Sequence, residues 1–189
     1  MGILLSRNVE IQISNKTQNI TLRNPSTHFQ CGYCSRLPVP ELLPGSPDIS
    51  QFRGSFPFWG VAGILVYEAD SFTLAIYFSN PIDYFKFSME LGLELSLSKV
   101  HLGSLPSTYA RMASGTYSSS FPDTKFARVT VNKSQGIAQV SDGPIRVTAI
   151  MSNARNSILK VVVEEQRGTE GRGQDADPQA LQVLQGEVG

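Results

Sequence analysis

Apolar and polar residues alternate along several short segments of the chain, a pattern that predicts β-strands with one buried face. The first such segment is 9–13, where three apolar residues share one face. A polar turn separates it from an apolar segment over 20–22, so we expect the two to form a hairpin. Residues 24–57 are rich in Pro, Gly and Ser, which predicts an irregular connection with one or two short strands.

The centre of the chain is apolar at nearly every position, which is typical of strands buried on both faces. Segments 60–67 and 72–78 predict an antiparallel pair, with Phe78 buried. The next segment, 85–97, has seven apolar residues at alternate positions, and we predict a long strand that buries this set. The polar phase of the same strand is expected to face solvent: Lys86, Ser88, Glu90 and Glu94.

The rest of the chain predicts one short helix and three more strands. Helix start and stop signals favour a helix over 106–117. Strands are predicted at 126–131, 145–151 and 158–164. Many short strands joined by polar turns favour a mainly β fold, a two-sheet sandwich of at least eight strands with one or two short flanking helices.

The length of 189 residues suits a single domain. We predict three parts, a short apolar N-terminal segment at 1–6, the sandwich domain at 7–165 and a tail at 166–189. The tail is expected to be flexible because it is polar and rich in Gly and Asp, with little to bury.

Net charge and the length of the apolar segments limit which partners and cellular locations are expected. The chain has 16 Lys and Arg against 16 Asp and Glu, so no net charge attracts nucleic acid, and we expect no nucleic-acid partner. It has no run of 18 apolar residues and no secretory signal. These features predict a cytoplasmic or peripheral membrane protein, or a secreted one if the true N-terminus is longer.

Residues suited to catalysis or metal binding are scarce. His28 and His101 are the only histidines, and no nucleophile elbow, phosphate-binding loop or dinucleotide motif occurs. Cys31 and Cys34 cannot complete a four-ligand zinc site, and whether the two pair with each other is left open. We therefore predict a binding protein rather than an enzyme, with no catalytic residues, no metal and no cofactor.

One central stretch resembles a known family. Val-Ala-Gly-Ile-Leu-Val-Tyr at 61–67 is followed by Thr-Leu-Ala-Ile-Tyr-Phe-Ser-Asn-Pro-Ile-Asp-Tyr at 73–84. Together they are similar to the signature of the actinoporins, the pore-forming cytolysins of sea anemones. Upstream, residues 6–13 fall where the first strand of that family begins, and the resemblance runs more loosely downstream to about residue 165.

The resemblance implies a β-sandwich flanked by helices that binds phosphocholine headgroups, with a preference for sphingomyelin. It also implies that an N-terminal amphipathic helix inserts into the membrane and that several copies assemble into a pore. The expected partners are therefore a phosphocholine lipid and further copies of the chain in a homo-oligomer on the membrane.

The resemblance also assigns a headgroup-binding site. Its six positions are Cys31, Ala62, Ser79, Pro81, Phe87 and Tyr109. Ser79 and Pro81 match the family outright, and Phe87 keeps the ring of the usual Tyr without its hydroxyl. Aromatic faces hold the quaternary ammonium of choline, so Phe87 and Tyr109 are the expected rings.

The N-terminus departs from the family. Only residues 1–5 precede the first strand region, and five residues cannot cross a membrane, so the chain is expected to be a truncated form or not to make pores by the family's route. Glu90 and Leu91 also replace an exposed Trp pair, and we expect poor lysis. Gly2 instead fits a myristoylation pattern, with Ser6 in place, and is the lipidation candidate.

A second hypothesis is a soluble lectin-like or protein-interaction module. Fungal fruit-body lectins use the same sandwich to bind sugars. An aromatic face beside Asp and Asn suits a glycan, and the 79–87 loop with Asp83, Tyr84 and Tyr109 offers those groups.

Overall fold

The computed structural model describes residues 6–55, 59–115, 121–131 and 133–166. Twelve strands within them form two six-stranded sheets. Sheet A contains, in spatial order, β10 (Gln135–Asp142), β11 (Ile145–Ser152), β12 (Asn156–Glu165), β1 (Asn8–Asn15), β5 (Pro47–Arg53) and β3 (Tyr33–Arg36). Sheet B contains β4 (Glu41–Leu42), β2 (Leu22–Cys31), β6 (Val61–Glu68), β7 (Thr73–Asn80), β8 (Glu90–Ser96) and β9 (Thr124–Thr130). The predicted mainly β, two-sheet sandwich is confirmed.

The main core lies between the two sheets. In sheet A, the alternate positions Val9, Ile11 and Ile13 of β1 point inward and are buried. From sheet B, Phe78 and its neighbours on β6 to β8 join the same cluster. Period-two alternation therefore decides the inner face of sheet A, as expected for a sheet with one polar side.

Sheet B buries both faces of its central strands. Its outer face carries Ile64, Ala75 and Tyr77, and the helix α1 (Leu105–Ser114) packs over them through Met112. The helix begins at a Ser104 cap, whose hydroxyl accepts from the backbone N–H of residue 107, and ends at a left-handed glycine at 115. The helix predicted at 106–117 is thus present, and it is the cover that the apolar outer face requires.

The hairpin predicted between segments 9–13 and 20–22 is wrong. β1 lies in sheet A, parallel to β12 and antiparallel to β5, whereas β2 lies in sheet B. The intervening turn crosses between the sheets, where the buried Asn15 amide donates to the carbonyls of Ile20 (2.7 Å) and Leu42 (3.0 Å). The alternation is the same in a hairpin and in a crossing connection, so it does not distinguish them.

Two further strand predictions are incomplete. Residues 24–57 hold most of β2 and all of β3, β4 and β5, and are not mainly an irregular connection. β10 was not predicted, although its burial alternates strictly. The pair β6 and β7 is antiparallel, as predicted.

The long strand predicted at 85–97 is only half present. β8 begins at Glu90, and Phe85 and Phe87 are exposed in the preceding loop, as Leu97 is after the strand. The loop is wound by Asp83, whose carboxylate accepts from the backbone N–H of Phe85 at 3.0 Å and whose carbonyl accepts from that of Phe87. This local turn overrides the period-two pattern. The remaining members of the set are buried: Met89, Leu91, Leu93 and Leu95.

Glu94, predicted to face solvent, is fully buried under the helix. Its carboxylate accepts from His101 Nε2 at 2.7 Å and from Arg111 of α1, whose Nε lies 3.2 Å away. The other ring nitrogen of His101 lies 2.7 Å from Thr73 Oγ1. Burial alone raises the pKa of Glu94, but the hydrogen bonds from His101 and Arg111 outweigh it and hold the pKa below its ordinary value.

We predict that Glu94→Gln lowers the free energy of unfolding by about 3 kcal/mol at neutral pH, because it leaves Arg111 beneath the helix without its counter-charge. A lowered folded pKa contributes stability that is present above the unfolded value of about 4.3 and is lost as the pH falls through the folded value. The difference in the free energy of unfolding between the wild type and Glu94→Gln should therefore become smaller in acid. Urea denaturation at neutral pH and below the unfolded pKa of about 4.3 measures this change.

The matched control is Glu164→Gln, which removes a half-exposed partner of Arg146 on sheet A. Such surface pairs contribute at most about 1 kcal/mol, so this variant should unfold nearly like the wild type. Equal losses in the two variants would contradict a special role for the buried carboxylate.

Candidate functional site

Three of the six predicted headgroup residues lie side by side on the outer face of sheet B. In the strand register, Cys31 of β2 is opposite Ala62 of β6, and Ala62 is opposite Ser79 of β7. The pairing continues from Ser79 to Glu90 of β8. Since cross-strand partners share a face, this Cys31–Ala62–Ser79 row is a single patch near one end of the sheet.

Tyr109 reaches the same face from α1. Its ring contacts those of His28 and Tyr77, each with ring centroids 5.7 Å apart. Burial, and then the proximity of Cys31 and Glu90, raises the pKa of Tyr109 to about 12. The phenol is therefore neutral and able to donate a hydrogen bond at physiological pH.

Glu90 and Arg128 are polar neighbours of this patch that the sequence did not reveal. Glu90 accepts a hydrogen bond from Tyr77 Oη at 2.8 Å and pairs with Arg128 at 2.7 Å. Glu90 was predicted to face solvent, and its side chain is only 16% exposed. The chain places an acidic residue at the start of β8 and a basic one in β9, but their pairing depends on the register between these strands.

Pro81 and Phe87 belong to the β7–β8 connection, outside the row. Phe87 is 63% exposed, and among the described residues no ring contact joins it to Tyr109. The structure thus brings Tyr109 to the Cys31–Ala62–Ser79 row and leaves Phe87 on a neighbouring loop.

Large exposed aromatic side chains gather where this loop lies. We call this end of the sandwich, made of residues 59–60, the 81–89 connection and the 153–155 turn, the loop end. It presents four exposed aromatic residues: Trp59, Tyr84, Phe85 and Phe87. Trp59 is held there because its carbonyl accepts from the backbone N–H of Arg7, and because Gly60 packs against Asn80 and Pro81. The signal in the sequence was the aromatic run that ends at Trp59.

Basic groups accompany these rings. The Arg7 guanidinium lies over the Tyr84 ring at 4.5 Å, a cation–π contact. Arg155 Nε donates to the carbonyl of Ser6 at 3.3 Å, and Lys86 is exposed on the loop, with its Nζ 3.9 Å from the Asp83 carboxylate. The loop end therefore combines apolar rings with positive charge, although the chain as a whole is neutral.

Asn80 connects two parts of the loop end, the 153–155 turn and the 81–89 connection, to the start of β1. It is fully buried, and its amide donates to the carbonyls of Asn8 (3.0 Å), Ala154 (3.1 Å) and Arg155 (3.1 Å). Its Oδ1 accepts from Tyr84 Oη at 3.1 Å. One side chain thus fixes the start of β1, the β11–β12 turn and the aromatic loop relative to one another.

Cys31 and Cys34 are free thiols that lie in different sheets, so they do not form a disulfide here. Gly32 between them has φ +94, a conformation that favours glycine at this crossing. Burial raises the pKa of both thiols, which makes them poor nucleophiles. Gly2, the lipidation candidate, and the tail from residue 167 lie outside the described residues.

Within the described ranges, no three His, Cys, Asp or Glu side chains lie close enough together to hold a metal ion. In the same ranges, every helix is too short or too polar to cross a membrane.

Comparison with known proteins identifies a similar fold. No protein-family model matches the sequence, and a search of curated proteins finds no match. Among solved structures, the chain is similar to the lipid binding protein Nakanori, with a TM-score of 0.61 and 14% identity over 83% of this chain and 70% of that one. At that identity the likeness shows a common fold.

We predict that Asn80→Ala lowers the free energy of unfolding by about 2 to 3 kcal/mol, because it leaves buried carbonyls and the Tyr84 hydroxyl without their partner. Tyr84→Phe removes only the last of these hydrogen bonds from a partly exposed side chain, so it should cost less than about 1 kcal/mol. Thermal denaturation of both variants checks the difference. A stable Asn80→Ala would show that the loop end does not depend on this amide.

Proposed function

We propose that this protein is a non-enzymatic lipid-binding protein that docks on the membrane–water interface through its loop end. The observation that carries the proposal is the exposed aromatic set at that end, mounted beside Arg7 and Lys86. Trp and Tyr favour the headgroup level because they join an apolar ring to a polar atom, and exposed Phe side chains gain free energy on leaving water. Basic side chains next to them favour lipid phosphates.

The comparison supports the same class of ligand. Nakanori is a lipid binding protein with a similar fold, and the signature at 61–84 resembles the actinoporins. We propose that the chain is an actinoporin-like protein in this sense. In that family an exposed Trp pair enters the membrane interface. Here the corresponding Leu91 is in the core and Glu90 is paired with Arg128, so we assign the interfacial contact to the rings of the loop end.

We further propose that the Cys31–Ala62–Ser79 row and Tyr109 recognise a phosphocholine headgroup, as in sphingomyelin. Tyr109 and His28 offer ring faces to the quaternary ammonium, and the neighbouring Glu90 adds negative charge. The Ser79 hydroxyl is half-buried at the edge of the row and can donate to the phosphate. Pro81 and Phe87 then border the headgroup from the membrane side.

Binding rather than catalysis is proposed because, within the part of the chain that the structure describes, the one arrangement with the order of a catalytic triad is closed to solvent. Thr73, His101 and Glu94 are linked by hydrogen bonds, but all three are buried under α1 and the 3-10 turn Val100–Leu102. Both ring nitrogens of His101 are engaged and no substrate reaches them. The triad therefore serves to attach the helix.

We predict that Phe85→Ala and Phe87→Ala each weaken binding to vesicles of phosphatidylcholine and sphingomyelin by about tenfold. A phenylalanine side chain transferred from water to an apolar phase gains about 1.5 to 3 kcal/mol, and about 1.4 kcal/mol is one decade. Co-sedimentation with vesicles measures the loss. Dye released from the same vesicles reports whether binding leads to the pores that the family resemblance implies.

The control for these two variants is Leu102→Ala. Leu102 is 52% exposed, similar to Phe87, but it follows β8 at the opposite end of the sandwich. Binding should be unchanged in this variant. An equal loss of vesicle binding in Leu102→Ala, or no loss in Phe85→Ala, would contradict the proposal that the loop end docks on the membrane.

We predict that Tyr109→Ala removes competition by free phosphocholine while leaving part of the vesicle binding through the loop end. The Tyr109 ring lies close to Cys31 of the row, and a desolvated cation–π contact is worth about 2 kcal/mol. Calorimetric titration with phosphocholine checks the affinity, and thermal denaturation checks that the variant folds. A folded variant with unchanged phosphocholine affinity would contradict the proposed headgroup site.

A further inference from the structure

The outer face of sheet A carries a groove that the lipid-binding proposal does not use. It runs between β5, β1 and β12 and has a volume of about 270 Å³. Its lining includes Asn8, Glu10, Gln51, Arg53, Asn156 and Ile158. The register explains the cluster, because Asn8 lies opposite both Arg53 and Asn156, and Glu10 lies opposite both Gln51 and Ile158.

Glu10 is a fixed acceptor at the centre of the groove. Its Oε1 accepts from Gln12 Nε2 at 2.7 Å and its Oε2 from Gln51 Nε2 at 3.1 Å. The hydrogen bond from Gln12 lowers the pKa of Glu10 most, and the one from Gln51 lowers it next, so the carboxylate is ionised and acts only as an acceptor. Two lone-pair directions of such a carboxylate can remain open to a ligand.

Donors surround this carboxylate. Asn8 Nδ2 donates to Asn156 Oδ1 at 2.8 Å, which orients both amides. Among the described residues, neither the Arg53 guanidinium nor the Asn156 amide nitrogen has a hydrogen-bond partner. The Glu10 carboxylate has two basic neighbours, Arg53 in the groove and Arg36 on β3, which pairs with Gln51. The groove therefore holds charges of both signs beside its amide groups.

Apolar surface completes the groove. The Ile158 side chain is 40% exposed within it, and Tyr33 of β3, opposite Arg53, is 48% exposed on the same face. Planar polar side chains that combine donors and acceptors, next to an apolar or aromatic face, match the hydroxyls and C–H faces of a sugar ring.

We propose that this groove binds an uncharged sugar ring, with Glu10, Gln51, Arg53 and Asn156 as hydrogen-bonding groups. The site is distinct from the 79–87 loop, where Asp83 is occupied by the backbone N–H groups of its own turn. Asn8 and Asn156 directly follow Arg7 and Arg155, and Arg155 belongs to the loop end. On the docking proposed above, the groove therefore lies close to the lipid headgroups. The sugar can therefore belong to a free glycan or to a glycolipid.

Two experiments distinguish a free glycan from a glycolipid as the source of the sugar. Saturation-transfer NMR with the methyl glycosides of glucose, galactose, mannose and N-acetylglucosamine tests free sugars. Co-sedimentation with phosphatidylcholine vesicles, with and without galactosylceramide, tests a glycolipid. We expect binding in at least one arm, weakened about tenfold by Gln51→Ala and by the isosteric Glu10→Gln, since each removes a hydrogen bond to the sugar.

Gln139→Ala is the matched control, because Gln139 is an exposed glutamine on the outer face of the same sheet, on β10. It should leave sugar binding unchanged, and thermal denaturation should show all three variants folded. Binding to vesicles of phosphatidylcholine alone should also stay unchanged in all three, which separates this site from the loop end. No response to any probe, or a response that Gln51→Ala and Glu10→Gln both leave intact, would overturn the proposal.

Discussion

The structure depends on one constraint, the burial of both faces of the central strands of sheet B. One apolar face is satisfied by sheet A, and the other would meet water if α1 did not cover it. The helix is attached by Met112 and by the contact of Arg111 with the buried Glu94, which also holds His101. The same attachment carries Tyr109 to the outer face of the sheet. The helix that completes the core thus also forms the proposed headgroup site.

The loop end is held by polar contacts rather than by burial of apolar side chains. Its aromatic side chains are exposed to water rather than packed in the core, so they require rigid support to act together. Asn80 provides it by hydrogen bonds to backbone carbonyls of β1 and of the β11–β12 turn. Asp83 adds a local turn that directs Phe85 and Phe87 outward. Apolar residues kept in water by a satisfied polar framework are characteristic of an interaction surface.

The proposed surfaces adjoin at this end of the sandwich. The loop end would meet the membrane, the row with Tyr109 would take a headgroup from sheet B, and the groove with Glu10 would take a sugar on sheet A. The row with Tyr109 and the groove share no residue, whereas Phe87 belongs to the loop end and also borders the headgroup site. Phe85→Ala, Tyr109→Ala and Gln51→Ala therefore affect the three surfaces one at a time. A neutral chain with localised basic groups is consistent with attachment by rings and specific contacts rather than by a general electrostatic field.

By itself, the sequence determined the fold class, the β6–β7 pair and the short helix, because periodicity and capping residues are local signals. It also placed Ala62 on a predicted strand, but Cys31 fell in the connection predicted as irregular and Ser79 just beyond a predicted strand, and the structure puts all three on adjacent strands. Only tertiary structure decided the partners of β1 and the burial of Glu94, whereas the exposure of Phe85 and Phe87 follows from the local turn at Asp83 that the period-two pattern does not show. The physical reason is that alternation states which residues share a face, whereas the neighbouring element decides whether that face meets solvent, another sheet or a helix.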